Sequence, residues 1–403
     1  ENGDAKISAK NISVTGTGTA TSVAEILTPV FSGSLITVAA NVAVARLEAD
    51  QDVYTEDVTI VSDGAVSITA ELNKDNKLSD SQDNGNRNCG AAALLGGNGT
   101  GSEGFRLELY SVRANVAIAR ADATNRARTK NTGFAGTTTT GKADVALTNK
   151  ATSYAYATVV ESSSLGYVSI GLTSVYAHAD GTFDTTMGIG AKTADVKSIT
   201  INHQYNAHAT AFSGVPRFGV SASVVSANLA VVLARVGSHV TGGITGSGHV
   251  NASGKVAVAV TGTGRAYATV KSPTVSLSGV SVAVNYVSAE LSGTQDAFIR
   301  DASVTSAGTS VTSEFNKNST GYGAEAIIGA AGEAGKSLKL AGVAVDANTV
   351  AAKANQTVRA FTDGASLLGS ANDVAVSASG RTAAKADVQK GSSGARIGVG
   401  LGV

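Results

Sequence analysis

Apolar and polar residues alternate with a period of two along most of this chain. Val280-Ser281-Val282-Ala283-Val284, Val256-Ala257-Val258-Ala259-Val260 and Ile7-Ser8-Ala9-Lys10-Asn11-Ile12-Ser13-Val14 are typical runs. Successive side chains of a strand point to opposite faces, so this period predicts strands. Clusters of Gly, Ser, Asn, Thr and Asp separate the runs. Ser62-Asp63-Gly64 and Thr261-Gly262-Thr263-Gly264 are expected to form corners, because such residues tolerate the positive φ that a tight turn needs. The Ala-rich stretch Val343 to Ala354 can be drawn as a helix, yet it aligns with strand-like copies elsewhere and is expected to be a strand too.

The alternating runs recur. An Ala-rich phrase returns with a landmark at Arg46, Arg120, His178, Arg235, Glu290 and Lys353, at gaps of 74, 58, 57, 55 and 63 residues. A second series interleaves with it: Ala91-Ala92-Ala93, Ala155-Tyr156-Ala157, Ala207-His208-Ala209, Ala266-Tyr267-Ala268, Ala324-Glu325-Ala326 and Ala384-Lys385-Ala386. Tyr54, Phe298 and Phe361 follow their landmarks by eight residues, and Glu71-Leu72-Asn73-Lys74 returns as Glu314-Phe315-Asn316-Lys317 four units later. The chain therefore reads as one repeat array over 1–403, with units of about 60 residues, two related halves of about 30 in each, and a polar insertion at about 73–104. The expected fold is all-β, an elongated parallel β-solenoid. If each half makes one coil, there are about 13 coils in a body near 60 Å long, or near 95 Å if the coils are of about 20 residues.

In an Ala-x-Ala phrase both methyls face one side, and the middle residue is mostly charged, His or Tyr. Burying those middle residues would carry a large desolvation cost. Ala119, Ala121, Ala155, Ala157, Ala266 and Ala268 are thus expected inside, with Arg120, Tyr156 and Tyr267 in solvent. Composition agrees with a narrow, regular core: 47 Gly, 3 Pro and no Trp in 403 residues. With 31 basic and 31 acidic residues the chain lacks the excess positive charge of a dedicated nucleic-acid binder. A single cysteine, Cys89, excludes an internal disulfide framework. No apolar run is long enough for a transmembrane helix. A membrane barrel would need aromatic girdles, whereas 10 Tyr and 9 Phe are spread thinly.

Candidate chemistry is sparse. Gly96-Gly97-Asn98-Gly99-Thr100-Gly101 lacks the Gly-Lys-Ser/Thr ending of a phosphate loop and the Asp of a calcium roll, and reads as a loop. Asp75, Asp80 and Asp83 could gather around Ca²⁺ through their oxygens, but their spacing fits no EF-hand, and a solvated insertion is the plainer reading. No cofactor is expected. The histidines His178, His203, His208, His239 and His249 show no zinc-protease spacing; His178 and His208 are expected to lie near one another as landmarks of neighbouring halves. Arg46, Arg120, Tyr156, His178, His208, Arg235 and Tyr267 form the expected outward interaction ladder. Four of them, Arg46, Arg120, His178 and Arg235, make a basic stripe able to meet acidic glycans, or simply keep the sheet soluble. No catalytic constellation of known spacing is visible, so no enzymatic activity is expected.

Gly279-Val280-Ser281-Val282-Ala283-Val284-Asn285-Tyr286-Val287-Ser288-Ala289, followed by Ala297-Phe298-Ile299 and a Val/Ser/Thr strand, resembles the degenerate repeats of very large bacterial exoproteins. The group includes the fusobacterial leukotoxin type and, more distantly, filamentous-haemagglutinin-like passengers; no haemagglutinin-type secretion domain is visible. The resemblance implies an adhesin-like rod or filament section, extracellular or on the cell surface, whose partners are a host-cell or matrix surface, a glycan or other copies of itself. A polysaccharide lyase or tailspike-type glycosidase on the same scaffold is one alternative, and a subunit polymerising end to end is another. The chain opens with Glu1, and the strand-like runs at both ends, Ala5 to Val14 and Ala395 to Val403, lack caps. A segment of a longer polypeptide or an assembling subunit is the expectation.

Overall fold

The computed structural model describes residues 5–27, 31–74, 90–96, 105–138, 141–161, 163–214, 220–272, 275–330, 338–369, 373–389 and 392–403. Among them every regular element longer than a turn is a strand, Val343 to Ala354 included, and the strands assemble into three parallel sheets. The chain visits the sheets in a fixed order, and each visit adds one strand beside its predecessor or, at four visits to the middle sheet, one strand broken in two. A short sheet collects seven strands, from Ala5–Ser8 and Val58–Val61 to Ser366–Gly369. A middle sheet of eleven holds Asp144–Val160, Ser198–Gly214 and Lys255–Ser272 as unbroken strands at its centre. A long sheet of seven contains Phe31–Glu56, Phe105–Lys130, Ser163–Gly188, Val220–Thr245, Val275–Arg300 and Leu338–Asp363, each of 26 residues, and ends with Ser392–Gly402.

Sequence landmarks coincide with ladder partners. Arg46 pairs with Arg120, Arg120 with His178, His178 with Arg235, Arg235 with Glu290 and Glu290 with Lys353. The repeat is therefore one whole unit per strand in each sheet, and the half-units are not coils of their own. The two Ala phrases of a unit lie in different sheets, whose inner faces meet: Ser153 Oγ donates across the gap to the carbonyls of Ala121 and Asp180, at 3.4 and 3.3 Å. Seven strands at a spacing of about 4.8 Å rise only about 29 Å, half the expected body length, whereas a 26-residue strand at about 3.3 Å per residue runs roughly 85 Å.

Corners carry a sequence signature. Each long strand that is followed by a short strand ends at or just before a positive-φ residue: Asp57, Asn131, Gly190, Gly246, Asp301 and Gly364. Asp and Asn tolerate this region better than other side chains do. The repeated Glu-x-Asn-Lys phrase marks a second corner, where the middle strand breaks. Asn73 (φ 54°) and Asn316 (φ 50°) turn the backbone, and each amide then clasps the preceding unit. Gly264 N–H donates to Asn316 Oδ1 and Asn316 Nδ2 donates to Gly264 O, both at 3.0 Å; Asn73 treats Ala20 the same way.

Thr261-Gly262-Thr263-Gly264 is not a corner, however. It lies inside the strand Lys255–Ser272, and its glycines make room for aromatic rings: a Cβ on Gly262 would sit 2.1 Å from Tyr205 Cε1.

The core is lined chiefly by the inner faces of the middle and long sheets, and the short sheet adds Val58, Ile60, Phe134, Val196, Val250 and Val304 to it. Ala119, Ala121, Ala155, Ala157, Ala266 and Ala268 are all 0 % exposed. Small methyls let the sheets approach closely, and the rings of Phe183, Tyr205 and Phe315 stack where glycine opens space, at centroid distances of 5.7 and 6.4 Å. Arg120 is exposed and Tyr267 is half-buried. Tyr156 departs from expectation: it is buried, packing with Tyr154 and Leu94 in a separate cluster on the outer side of the middle sheet. These three apolar groups are neighbours along and across adjacent strands, so they cover one another. A buried polar layer also crosses the core. Asn125 Nδ2 donates to Asn149 Oδ1 (2.7 Å), Thr185 Oγ1 pairs with His203 Nδ1 (2.7 Å) and Gln295 Nε2 donates to Ser313 Oγ (2.9 Å).

Candidate interaction surface

The long strands outreach their cover. Asn149 meets Asn125, and Ser153 meets Ala121 and Asp180, so facing strands run in opposite directions and Asp144–Val160 ends near the level of Ala114 and Thr173. About nine residues at the start of each long strand lie beyond the middle sheet. There the faces exchange character. Past Ala117 the inner positions are buried and mostly apolar, with Asn125 and Thr129 as polar exceptions, and the outer ones mostly polar, as with Ala119 against Arg120. Before it, Ser111, Arg113 and Asn115 point inward, while Tyr110 and Val112 stand outward at 48 % and 45 % exposure.

The same exchange recurs in other units. Ser226 is buried beside the outward Val225 and Leu229, and Ser281 beside Val280. Each long strand also drops one ladder partner near its start, at Leu35, Leu109, Tyr167, Val224, Gly279 and Gly342. Alternation slips there: Glu108 and Ser111, three residues apart, are both buried.

The expected ladder resolves into separate columns. Arg46, Arg120, His178 and Arg235 do stack on the outer face of the long sheet, directly after the apolar positions. The arginines and Lys353 are matched by carboxylates: Arg46 pairs with Glu48, Arg120 with Asp122 (2.7 Å), and both Arg235 and Lys353 with Glu290 (3.6 Å each), while His178, whose charged form burial disfavours, lies 4.0 Å from Asp180. The arginine and lysine pairs of the stripe are thus surface ion pairs, each worth under about 1 kcal/mol, and not a free basic surface. Tyr156, His208 and Tyr267 belong to the middle sheet. Tyr156 and Tyr267 share a column through Thr210, whereas His208 lies in the next one, between Tyr154 and Arg265. The second Ala series therefore runs through Ala209-Thr210-Ala211, two residues later than the sequence phrase suggests. His178 and His208 sit on different sheets and do not adjoin through any ladder.

A small cavity of about 110 Å³ opens where the middle strand ends under the overhang, lined by Arg106, Ser111, Arg113, Glu161, Thr173 and Asn228 among others. Thr173 Oγ1 donates to Glu161 Oε1 at 2.8 Å. Burial pushes the Glu161 carboxyl up, against the pull of that hydrogen bond and of Arg106. Burial likewise lowers Arg106, against the attraction of Glu108 and Glu161, and its Nε has no partner; Arg113 pairs with Glu108. Sequence spacing gave no hint of this cluster, because its members come from three strands and a connection.

The apolar outer face did leave a signal. Apolar residues fall at Ile170 and Leu172 but then at Val175, Ala177 and Ala179, a change of phase inside one run.

Among the described residues no three His, Cys, Asp or Glu side chains gather as metal ligands would, and no helix is long and apolar enough to cross a membrane. Asp75, Asp80, Asp83 and Cys89 lie outside the described residues, as do 97–101 of the glycine run. Within the range 73–104 that the sequence marks as an insertion, Gly90–Leu95 forms a fully buried strand of the middle sheet. His203 is buried with its ring against Thr185, Phe183 and Tyr205, and burial lowers it to about 3. No family model, characterised protein or solved structure matches this chain.

Proposed function

We propose that this chain is a section of a parallel β-solenoid serving as a structural and interaction-bearing rod, adhesin-like, in a bacterial cell-surface or secreted protein. The observation that carries the reading is the stacking itself: equivalent residues of successive units pair one above another in all three sheets. Parallel stacking of one unit on the next spreads stability along the array and presents columns of side chains instead of a single converging centre. The likeness of Gly279 to Ala289 to large bacterial exoprotein repeats supports the extracellular setting, with a host-cell or matrix surface, or a glycan, as the partner.

Glycan cleavage at Glu161 is the second reading, favoured by its raised carboxyl beside Arg106. The cavity weighs against it. At about 110 Å³ it is well below the roughly 300 Å³ of small ligand sites. Purified protein applied to matrix-coated surfaces, glycan arrays and polysaccharide solutions separates the two. Saturable retention without new reducing or unsaturated ends supports the structural reading. Polysaccharide cleavage lost in Glu161→Gln overturns it, as does the absence of retention on every surface.

A further inference from the structure

The outward apolar face of the long-sheet overhang asks for a cover. We infer that it pairs face to face with the same face of a second copy of this chain. This goes beyond the rod reading and stands independently of where the protein is displayed.

Three observations carry it. The first is size. About five outward positions per strand, at roughly 6.6 Å, on seven strands at roughly 4.8 Å, give about 1,100 Å² per copy. Single chains seldom leave more than about 300–600 Å² of contiguous apolar surface in water. Two such faces together bury about 2,200 Å², above the roughly 1,200–2,000 Å² of stable specific interfaces.

The second is shape and composition. Val112, Ile170, Val225, Leu229, Val280 and Val284 are 36–45 % exposed and stand in straight columns, a pleated surface that interdigitates with another of its kind.

The third is charge. A two-fold axis along the stacking direction, between the sheets, lays the facing strands antiparallel, so the charged half of each long strand projects past the opposite end of its partner. No charge is buried by this arrangement. A lipid surface would instead favour a free cationic rim, and the bordering Arg46, Arg120 and Arg235 are all held by carboxylates.

Sedimentation equilibrium of the full chain tests this pairing, with circular dichroism and urea midpoints as checks of folding. The wild type should sediment as a dimer. Val112→Thr/Val225→Thr/Val280→Thr, which keeps β-branching and volume, should raise the dissociation constant by at least about tenfold, and Val225→Asp/Val280→Asp should yield monomer. Thr182→Asp, outward in the charged half, should leave association unchanged. A wild-type monomer at about 100 μM overturns the proposal. So does a dimer that neither apolar-face variant weakens, or a monomer that floats with phosphatidylcholine or phosphatidylglycerol vesicles.

Discussion

The two halves of a long strand obey one period but opposite polarity. In Ser163–Gly188 the later residues turn Val175, Ala177 and Ala179 toward the middle sheet and His178 and Asp180 toward water. Earlier residues turn Ser169 and Gly171 inward and Ile170 and Leu172 outward. Alternation alone makes a strand; which parity is apolar reports what lies on each side of it. The covered half reports the middle sheet, and the overhanging half reports the lack of that sheet on one face and an apolar outer face on the other.

Introducing the same charge into the two halves should separate them most sharply. Val236, 0 % exposed in the covered half, cannot carry a carboxylate without several kcal/mol of desolvation, so Val236→Asp should unfold the chain or cost about 3–5 kcal/mol in urea titrations. Val225, 36 % exposed in the overhang, should tolerate Val225→Asp at under about 1 kcal/mol when measured on the monomer. Equal costs would erase the distinction.

Acid should act on the halves with opposite sign. His203 faces the covered half and is lowered to about 3, below its ordinary 6.5, so it is held neutral in the fold. Its contribution is fully present above pH 6.5 and falls by about 1.4 kcal/mol per pH unit as pH drops from there toward 3; His178, also lowered by burial, adds in the same direction. Glu161, under the overhang, is raised, so its contribution is present below its ordinary 4.5 and lost as pH climbs through its folded value. His203→Phe should therefore flatten the loss of stability between pH 6.5 and 5, and Glu161→Gln should not. Urea midpoints across that range decide the matter.

A smaller contrast concerns side-chain amides. Gln295, 0 % exposed, donates to Val260 O and Ser313 Oγ in the covered half, and Gln295→Leu strands both acceptors at a cost of about 1–3 kcal/mol. Asn285, near the overhang, donates to Asn348 Oδ1 at 2.8 Å but remains half-buried and open to water, so Asn285→Ala should cost about 0.5 kcal/mol. Equilibrium urea unfolding of both variants provides the comparison.

Much of the fold was legible because it is periodic. Strand type, the unit spacing and the inward alanines follow from side chains that must repeat where backbones repeat. The Glu-x-Asn-Lys phrase was legible only as a landmark of the repeat; that Asn73 and Asn316 turn the backbone there is seen in the structure alone. Half-units pass for coils in the sequence because two sheets that meet Ala to Ala carry similar phrases, and similarity of phrase does not distinguish stacking from facing. The register of His208 is ambiguous in the sequence for the same reason: Ala207, Ala209 and Ala211 are all 0 % exposed, three equivalent methyls, and the ladder runs through the later pair. Glycine at 262 and 264 looked like a turn because its role depends on Tyr205 and Phe315, residues more than fifty positions away. The Glu161 cavity had no local signature at all.

One full unit, 53 to 79 residues across the three sheets, separates stacked neighbours, as in the hydrogen bonds His239 to Thr294 and Asn41 to Asn115. Nitroxide labels at positions 182 and 239, ladder partners on the outer face of the long sheet, test it most directly by continuous-wave electron paramagnetic resonance. The reference pair is 182 and 212, half a unit apart and on the outer faces of opposite sheets. Strong dipolar broadening for 182/239 and none for 182/212 is the predicted result. Broadening for 182/212 with none for 182/239 would contradict the stacking on which everything else here rests.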